Sequence, residues 1–238
     1  MNYRGSKQKL AKYIVPIIQK EINIHGSKYY LEPFVGGANI IDKIQCQNKM
    51  GYDINKYLIA LLKQVQNDTS IFPETITEEE YHNVKNNKDN YPDWYVGLVG
   101  FSSTFASSFF DGYARDKSGK RDIPNERIRN LIKQAPNLKN IYFETKNYLD
   151  INNIMNYTIY ADPPYFQENS KKPKYVGQQK FIEDEFWNWC RKIGKNNILL
   201  ISNYKAPNDF KCIFEKEHRI FSKNAQEKIS VERLFIYE

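Results

Sequence analysis

Cysteine and histidine are scarce in this chain of 238 residues. Its three cysteines, Cys46, Cys190 and Cys212, are odd in number, lie far apart and form no C-x-x-C pair. This usage excludes a disulfide framework and predicts free core thiols in a reducing, cytoplasmic compartment. The three histidines show no ligand spacing, so we expect no structural zinc and no other metal site.

Long apolar segments are also lacking. The apolar stretch at residues 14–18 is short and is interrupted by Pro16, so we expect neither a signal peptide nor a membrane-spanning helix. No internal repeat is found. Hydrophobic residues nevertheless make up 41% and aromatic residues 15% of the chain, which is enough for a sizeable core.

The net charge is positive. Lys and Arg number 35 against 28 Asp and Glu, which gives +7 and a pI near 9.0. Such a balance favours a polyanionic partner. A general Lys/Asn bias, visible at residues 85–90, would give the same charge without such a partner.

Alternating strand and helix patterns predict an α/β fold. Residues 29–35 have a strand pattern and are followed by Gly36-Gly37 and by an apolar helix pattern at residues 40–44, which is the first half of a nucleotide-binding βαβ unit. A second strand at residues 49–52 ends at Asp53. Its distance from Gly36 is close to the about 20 residues expected for an acid that binds ribose hydroxyls. Asp53 could instead cap the next helix, for which Asn55 is equally well placed.

A polar loop at residues 2–6 precedes a helical pattern that begins at Lys7 and runs to about residue 19. The helix N-terminus and the Lys7 ammonium could together hold an anion. An exposed lysine in the first turn is the alternative.

Residues 72–136 break the strand pattern and are predicted to form an inserted subdomain, with residues 1–71 and 137–238 forming the main domain. The insertion contains helical patterns at residues 78–86 and 125–134 and a basic turn at residues 115–121. Cations beside Phe109, Phe110 and Tyr113 are typical of segments that hold phosphates and contact bases. A solvated basic hairpin is the alternative.

Strand patterns resume at residues 141–143, 158–161 and 198–202, with weaker strands near 212–214, 219–221 and 234–237. Between them, a helix carries an apolar stripe that we assign to the core: Phe186, Trp189, Cys190 and Ile193. The loop at residues 167–179 contains Lys171 and Lys172. It either closes over nucleic acid or is simply solvated.

The strand at residues 158–161 ends in Asp162-Pro163-Pro164-Tyr165. Proline fixes φ and has no N–H, so this corner is stiff and its carbonyls are free to accept hydrogen bonds. A carboxylate, a rigid carbonyl and an aromatic face suit a flat ring that carries an amino group. A strand followed by a proline-rich turn is the alternative for this motif alone.

Four motifs in order resemble those of the Dam-type DNA adenine-N6 methyltransferases. They are residues 3–7 (YRGSK), 32–37 (EPFVGG), 52–55 (YDIN) and 161–165 (ADPPY). Residues 101–115 and 202–207 (SNYKAP) resemble small phage-type members, so the similarity spans nearly the whole chain.

The resemblance implies a Rossmann-like methyltransferase sheet with helices on both faces and an inserted, mostly helical target-recognition region. It implies a bacterial or phage-encoded enzyme that transfers a methyl group from S-adenosylmethionine to the N6 atom of a flipped adenine at specific sites in double-stranded DNA. The protein would be a monomer or weak dimer, with a cognate restriction endonuclease as a possible partner.

The resemblance also implies roles for individual residues. Gly36 and Gly37 would approach the methionine part of the cofactor, Lys7 its carboxylate and Asp53 its ribose, with Tyr3 and Tyr148 flanking its adenine. The catalytic residues are Asp162, Pro163, Pro164 and Tyr165. The cofactor-binding residues are Tyr3, Lys7, Pro33, Phe34, Gly36, Gly37, Ala38, Asn39, Asp53, Asn147, Tyr148 and Asp162. The DNA-binding residues are Tyr113, Arg115, Lys117, Lys120, Arg121, Lys171 and Lys172.

The chain departs from the family pattern in two places. Residues 106–108 (ASS) stand where relatives often have Gly-Gly-Lys, and Asn147-Tyr148 stands for Asp-Phe. Two other functions remain open: cytosine-N4 methylation, which the same geometry would serve, and DNA binding by a non-catalytic protein with a degenerate methyltransferase fold. The intact Lys7, Gly36-Gly37 and Asp162 argue against the second.

Overall fold

The computed structural model describes residues 1–105, 108–116, 118–165, 181–221 and 227–237. The strands are β1 Tyr29–Glu32, β2 Asn48–Asp53, β3 Ile141–Thr145, β4 Tyr157–Ala161, β5 Ile198–Asn203, β6 Phe210–Phe221 and β7 Glu227–Tyr237. The helices are α1 Ala11–His25, α2 Lys56–Asn67, α3 Glu78–Asn86, α4 Asp93–Ser102, α5 Ile123–Leu138 and α6 Glu183–Gly194. No helix within these described ranges is long and apolar enough to cross a membrane.

The seven strands form one sheet in the order β3-β2-β1-β4-β5-β7-β6. The first five in that order run parallel, and β7 is antiparallel to both β5 and β6. Because the chain crosses from β1 to β2 on one side and reaches β4 on the other, the strand order reverses between β1 and β4. Ligands of open α/β sheets bind in the crevice at the carboxyl ends of such strands. The α/β prediction is confirmed.

Helices cover both faces of the sheet. Successive strand residues point to opposite faces, and Tyr30 and Tyr160 pack in one apolar cluster with residues of α1, α2 and α5. Their neighbours Leu31 and Ile159 pack in a second cluster with α6. The predicted apolar stripe of α6 lies in this second cluster, with exposures of 0 to 4%, so its assignment to the core is confirmed.

The sequence patterns misjudged two connections near the glycine turn. The predicted helix at residues 40–44 is a single 3-10 turn, Ile41–Lys43, because the chain must begin β2 at Asn48 and its isoleucines are buried in a compact connection. Helix α1 begins at Ala11 instead of Lys7, since residues 7–10 form a turn in which the Leu10 N–H donates to the Lys7 carbonyl.

Strand lengths also differ from the predictions. Strand β1 ends at Glu32, three residues before the predicted end. The two weak strands near residues 212–214 and 219–221 are parts of one strand, β6. A register shift between Cys212 and Phe214 interrupts the alternation of side chains there, which explains the weak pattern.

Residues 72–136 contribute α3, α4 and α5, and α3 has the predicted bounds. Helix α4 packs closely on α2: a Cβ atom at Gly97 would lie 2.2 Å from the Tyr57 carbonyl oxygen. Ile128 and Leu131 of α5 belong to the same apolar cluster as α1 and α2. A separate target-recognition subdomain in this region stays a prediction.

Candidate active site

The Asp162 side chain lies where β4 ends, beside the reversal point of the sheet. Residues 162–165 follow the strand without regular secondary structure, and the two prolines fix φ at positions 163 and 164. The Asp162 side chain is 21% exposed, so it lies at the surface of the crevice and not inside the core.

Lys7 reaches this carboxylate from the N-terminal loop. Its Nζ atom lies 3.0 Å from Oδ1 of Asp162 and 3.7 Å from Oε2 of Glu232. Burial lowers the pKa of Lys7, but the two carboxylates outweigh burial and hold it above its ordinary value. The helix begins four residues after Lys7, so Lys7 does not lie in its first turn as predicted, and the ammonium is paired with carboxylates. A role of Lys7 in holding an anion stays a prediction.

Burial raises the pKa of Asp162, and the Lys7 ammonium opposes that rise. Burial also raises the pKa of Glu232, with Lys7 again opposing and Asp162 adding to the rise. One cation thus stabilises two carboxylates in a poorly solvated position. Because Asp162 raises the pKa of Glu232, the two carboxylates do not titrate independently.

Tyr165 belongs to the same cluster. Its hydroxyl donates to Oε1 of Glu232 and also contacts Asp162. The Lys7 Nζ atom lies 4.4 Å from the centroid of the Tyr165 ring, and the Tyr204 ring packs edge-on at 4.7 Å. These contacts fix the orientation of an aromatic face next to Asp162.

Glu232 was not found by reading the sequence. It is 3% exposed and lies on β7 two residues before Leu234. Residues two apart in a strand share a face, so extending the predicted strand at residues 234–237 backwards would have placed Glu232 on the buried face with Leu234. A buried carboxylate at such a position is the signal that was missed.

The glycine turn follows β1. Gly36 has φ +48°, and a Cβ atom there would lie 3.0 Å from the Tyr3 ring. At Gly37 a Cβ atom would lie 2.8 Å from Nδ2 of Asn39 and 2.9 Å from Cβ of Tyr3. Glycine is therefore required at both positions, by close approach of the N-terminal loop and at Gly36 also by backbone conformation.

The residues after the glycines hold the turn in place. Ala38 also has positive φ, at +54°, and Asn39 is buried with its side-chain amide donating to the Met1 carbonyl and to Oγ of Ser6. The Gln134 amide from α5 donates to the Gly37 and Ala38 carbonyls. The turn is thus braced by both the N-terminal loop and α5.

Asp53 at the end of β2 connects the glycine turn to α2. Its Oδ2 accepts the Gly36 N–H at 3.2 Å and its Oδ1 accepts the Asn55 N–H at 3.0 Å. Burial raises the pKa of Asp53 to about 6, although the N–H donors oppose that rise. Asn55 caps α2 by accepting the Tyr57 and Leu58 N–H groups, so capping does not require Asp53.

Two aromatic rings meet beside the glycine turn. The centroids of Phe34 and Tyr148 are 5.1 Å apart, and both rings pack on the α6 face of the sheet. Tyr3 belongs to the cluster of the other face, with its ring 5.6 Å from Phe101. Tyr3 and Tyr148 therefore line different sides of the crevice.

Pro33 follows β1 directly, and Asn147 caps the turn at Tyr148–Asp150 by accepting the Leu149 N–H.

The candidate DNA-binding arginines form exposed ion pairs. Arg115 donates through Nε and Nη2 to the Glu78 carboxylate, and Arg121 donates to Glu126 at 2.9 and 2.6 Å. Lys120 is exposed. Lys117, Lys171 and Lys172 lie outside the described residues, as do positions 106 and 107 of the first family departure.

The predicted aromatic contacts of the insertion are mostly internal. Phe110 is 8% exposed and lies in the core, packed against Phe109 and Tyr81. The Tyr113 hydroxyl donates to the Ile76 carbonyl at 2.7 Å, which anchors the segment that leads to Arg115. Phe110 is therefore a core residue and not a base wedge.

The fold and the site define an α/β protein in which a glycine turn, a buried aspartate at the end of β2 and an Asp-Pro-Pro corner surround one sheet crevice. Residues 3–98 match the family described as D12 class N6 adenine-specific DNA methyltransferase. The chain is 26% identical to the type II methyltransferase M.MjaIII of Methanocaldococcus jannaschii, over 90% of this chain and 87% of that protein. It is 24% identical to the modification methylase StsI of Streptococcus sanguinis, over 69% of this chain and 28% of that protein.

Among solved structures, the rRNA methyltransferase aviRa from Streptomyces viridochromogenes superposes with a TM-score of 0.43 at 9% identity, over 97% of this chain and 84% of that one. These sequence matches relate the chain to the D12 class N6 adenine-specific DNA methyltransferases, whose family model matches its residues 3–98. The expected resemblance and activity are confirmed: this is an adenine-specific DNA methyltransferase. The family match implies S-adenosylmethionine as the methyl donor and DNA as the substrate.

Proposed function

We propose that Asp162 and Pro163 activate the exocyclic amino group of an adenine that has been flipped out of double-stranded DNA. The observation that carries this proposal is the position of the Asp162 carboxylate, which lies partly exposed at the end of β4 with Lys7 Nζ 3.0 Å away. The ammonium opposes the effect of burial on the pKa of Asp162 and thereby favours the ionised form, which accepts hydrogen bonds.

The amino nitrogen of adenine is a poor nucleophile because its lone pair is delocalised into the ring. If the Asp162 carboxylate and the Pro163 carbonyl each accept one N–H, the nitrogen is drawn toward tetrahedral geometry and its lone pair becomes available. The prolines hold both acceptors in a fixed relation, so little reorganisation is needed when the base arrives.

The residues around the glycine turn fit S-adenosylmethionine. The N-terminal loop packs directly on Gly36 and Gly37, where Cβ atoms would collide with it. In this proposal the glycine turn and Tyr3 together form one wall of the cofactor site. The Asp53 carboxylate accepts the backbone N–H groups of Gly36, Asn55 and Ile54. Because its two oxygens together have about four lone-pair sites, it retains acceptor capacity for a ribose hydroxyl. Phe34 and Tyr148 offer aromatic surface for an adenine ring. The cofactor supplies, when bound, a methyl group on a sulfonium sulfur.

Tyr165 receives the target base in this proposal. The base must leave the duplex stack, at a cost of about a few kcal/mol, and stacking on the Tyr165 ring offsets part of that cost. The contacts of Tyr165 with Glu232 and Tyr204 hold the ring in one orientation before the base arrives.

The remaining expectations belong to the same proposal. Residues 72–136 form the target-recognition subdomain, and Arg115, Lys120 and Arg121 contact DNA phosphates together with the candidate residues outside the described ranges. The protein works in the cytoplasm as a monomer or weak dimer, with a cognate restriction endonuclease as its genetic partner.

Replacement of Asp162 tests the proposal. Both Asp162→Ala and Asp162→Asn remove a carboxylate acceptor, and we expect the rate of methyl transfer to fall by about 10²-fold or more. Transfer of labelled methyl groups from S-adenosylmethionine to DNA from a methylation-free host measures this. Asp209→Asn is the matched control, because Asp209 is an exposed carboxylate that pairs with Arg191 elsewhere. Transfer at wild-type rates by Asp162→Ala would refute the proposed role.

A further inference from the structure

The buried carboxylate of Glu232 lies in the candidate site, where the mechanism above uses it only as a contact of the Tyr165 hydroxyl and gives its charge no role. It reaches the site from β7, 67 residues after Tyr165. Its Oε2 lies 3.7 Å from Lys7 Nζ, its Oε1 accepts the Tyr165 hydroxyl, and the Ser202 hydroxyl also bonds to it. A carboxylate that is only 3% exposed is costly to bury unless it is paired.

The charges around Glu232 do not balance. Lys7 faces it from the N-terminal loop, Asp162 and Tyr165 from the end of β4, Tyr160 from β4, and Ser202 and Tyr204 from β5 and its end. Of these groups only Lys7 carries a positive charge. With Lys7, Asp162 and Glu232 ionised, the three groups carry a net charge of −1.

Because Glu232 shares the Lys7 ammonium with Asp162, it affects how tightly Lys7 binds the Asp162 carboxylate. Both carboxylates lie close to the same Nζ atom, so they are within about 7 Å of each other, where like charges repel appreciably in a poorly solvated site. Glu232 therefore weakens the hold of Lys7 on Asp162 and leaves the Asp162 oxygens freer to accept the N–H groups of a base. Glu232 also fixes the Tyr165 ring through its hydroxyl.

We propose that Glu232 is a positioning residue for methyl transfer, which acts by sharing Lys7 with Asp162 and by orienting Tyr165. This inference rests on the proposed role of Asp162. The role requires the negative charge of Glu232 and not merely its volume, which separates it from a structural contribution to packing.

The variant Glu232→Gln tests the requirement for charge. Its amide keeps the shape and a carbonyl that can accept the Tyr165 hydroxyl, but it removes the charge that competes for Lys7. The matched control is Glu215→Gln on β6, where the carboxylate is 53% exposed and pairs with Arg233. Both substitutions change the net charge equally.

The first readout is a carbon-13 NMR titration of the Asp162 carboxyl in protein without added cofactor or DNA, assigned by comparison with Asp162→Asn. In Glu232→Gln the Lys7 ammonium pairs with Asp162 alone, so the pKa of Asp162 is expected to fall by about one unit or more. In Glu215→Gln it is expected to remain unchanged.

The second readout is steady-state methyl transfer. We expect kcat to fall about tenfold in Glu232→Gln, because Asp162 is held more tightly by Lys7, with the KM for S-adenosylmethionine changed less than about twofold. The acid limb of the kcat profile is expected to move to lower pH together with the pKa of Asp162. Glu232→Asp, which keeps the charge, is expected to regain part of the lost rate.

An unchanged pKa of Asp162 together with wild-type kcat in Glu232→Gln would overturn the inference. Failure of both Glu232→Gln and Glu232→Asp to fold would also overturn it, because the residue would then be structural. The titration needs no methyl transfer, so it distinguishes this inference from the proposed function, which would fail if Asp162 variants kept full activity.

Discussion

At the scale of single residues, the site depends on carboxylates whose ionisation is set by burial and by their immediate partners. Asp162 and Glu232 share the Lys7 ammonium. Asp53 has no such cation among its contacts in the described structure and is held by backbone N–H donors instead. The consequence is that Asp53 titrates nearer to neutrality than an ordinary aspartate.

The pKa of Asp53 predicts how cofactor affinity depends on pH. With a pKa of about 6, Asp53 is ionised above pH 6 and becomes protonated below it, which removes an acceptor for ribose hydroxyls. The affinity for S-adenosylmethionine is therefore expected to be constant at high pH and to fall by about tenfold between pH 7.5 and pH 5. Isothermal titration calorimetry across this range measures it.

The control for this prediction is Asp53→Asn, which cannot ionise. We expect this variant to bind the cofactor more weakly at pH 7.5 and to lose most of the pH dependence. If the variant had the same pH dependence as the wild-type protein, another group would be responsible and Asp53 would not be the ribose acid.

Site residues were predictable from the sequence where a recognisable motif lies at or near the carboxyl end of a predicted strand. Asp53 ends β2, Asp162 directly follows β4, and Gly36 lies in the turn that follows β1. Because these strands run parallel, the three residues meet at one edge of the sheet. Glu232 was not predictable in this way, because it enters from an antiparallel strand far along the chain. Lys7 was found, but its partners depend on tertiary packing.

At the scale of elements, the close packing of α4 on α2 positions the N-terminal loop. The ring of Phe101 on α4 contacts Tyr3, and Tyr3 in turn lies against Gly36 and Gly37. Gly97 permits this packing, because any larger residue would push α4 away from the Tyr57 carbonyl. A sequence pattern shows Gly97 only as a poor helix former.

Gly97→Ala is expected to destabilise the protein despite the higher helix propensity of alanine. Its Cβ atom would lie 2.2 Å from the Tyr57 carbonyl oxygen, and relieving this overlap should lower the free energy of unfolding by about 2 kcal/mol. Chemical denaturation measures the loss. Lys63→Ala on the exposed side of α2 is the control and should change stability by less than about 0.5 kcal/mol. Equal stability of Gly97→Ala and wild type would show that α4 can move without cost.

Elements were predicted well where one face is buried and poorly where the chain turns within the core. The bounds of α3 and the apolar stripe of α6 follow from helical periodicity. The isoleucines at residues 40–44 have helical spacing but are buried on all sides of a short connection, so periodicity alone misleads there.

At the scale of the whole molecule, the positive net charge and the candidate arginines fit a DNA substrate. Arg115 and Arg121 lie in the segment between α4 and α5 and pair with Glu78 and Glu126, all four being substantially exposed. Exposed ion pairs contribute little to stability, so phosphates can replace the glutamates as partners. Residues 106–108 lack the lysine that relatives often have there. Arg115 and Arg121 each donate two hydrogen bonds to one carboxylate, a geometry that also suits a phosphate group.

Charge reversal of these arginines tests whether this surface carries DNA. Arg115→Glu and Arg121→Glu are each expected to weaken DNA binding by about tenfold at low salt and to reduce the slope of log K against log salt by about one. Affinity for S-adenosylmethionine should not change.

Arg191→Glu is a close control. Arg191 also donates two hydrogen bonds to one carboxylate, that of Asp209, but it lies on α6 at the other face of the sheet. If Arg191→Glu weakened binding as much as the other two, net charge alone would explain the effect. An unchanged salt slope in Arg115→Glu and Arg121→Glu would place the DNA elsewhere on the molecule.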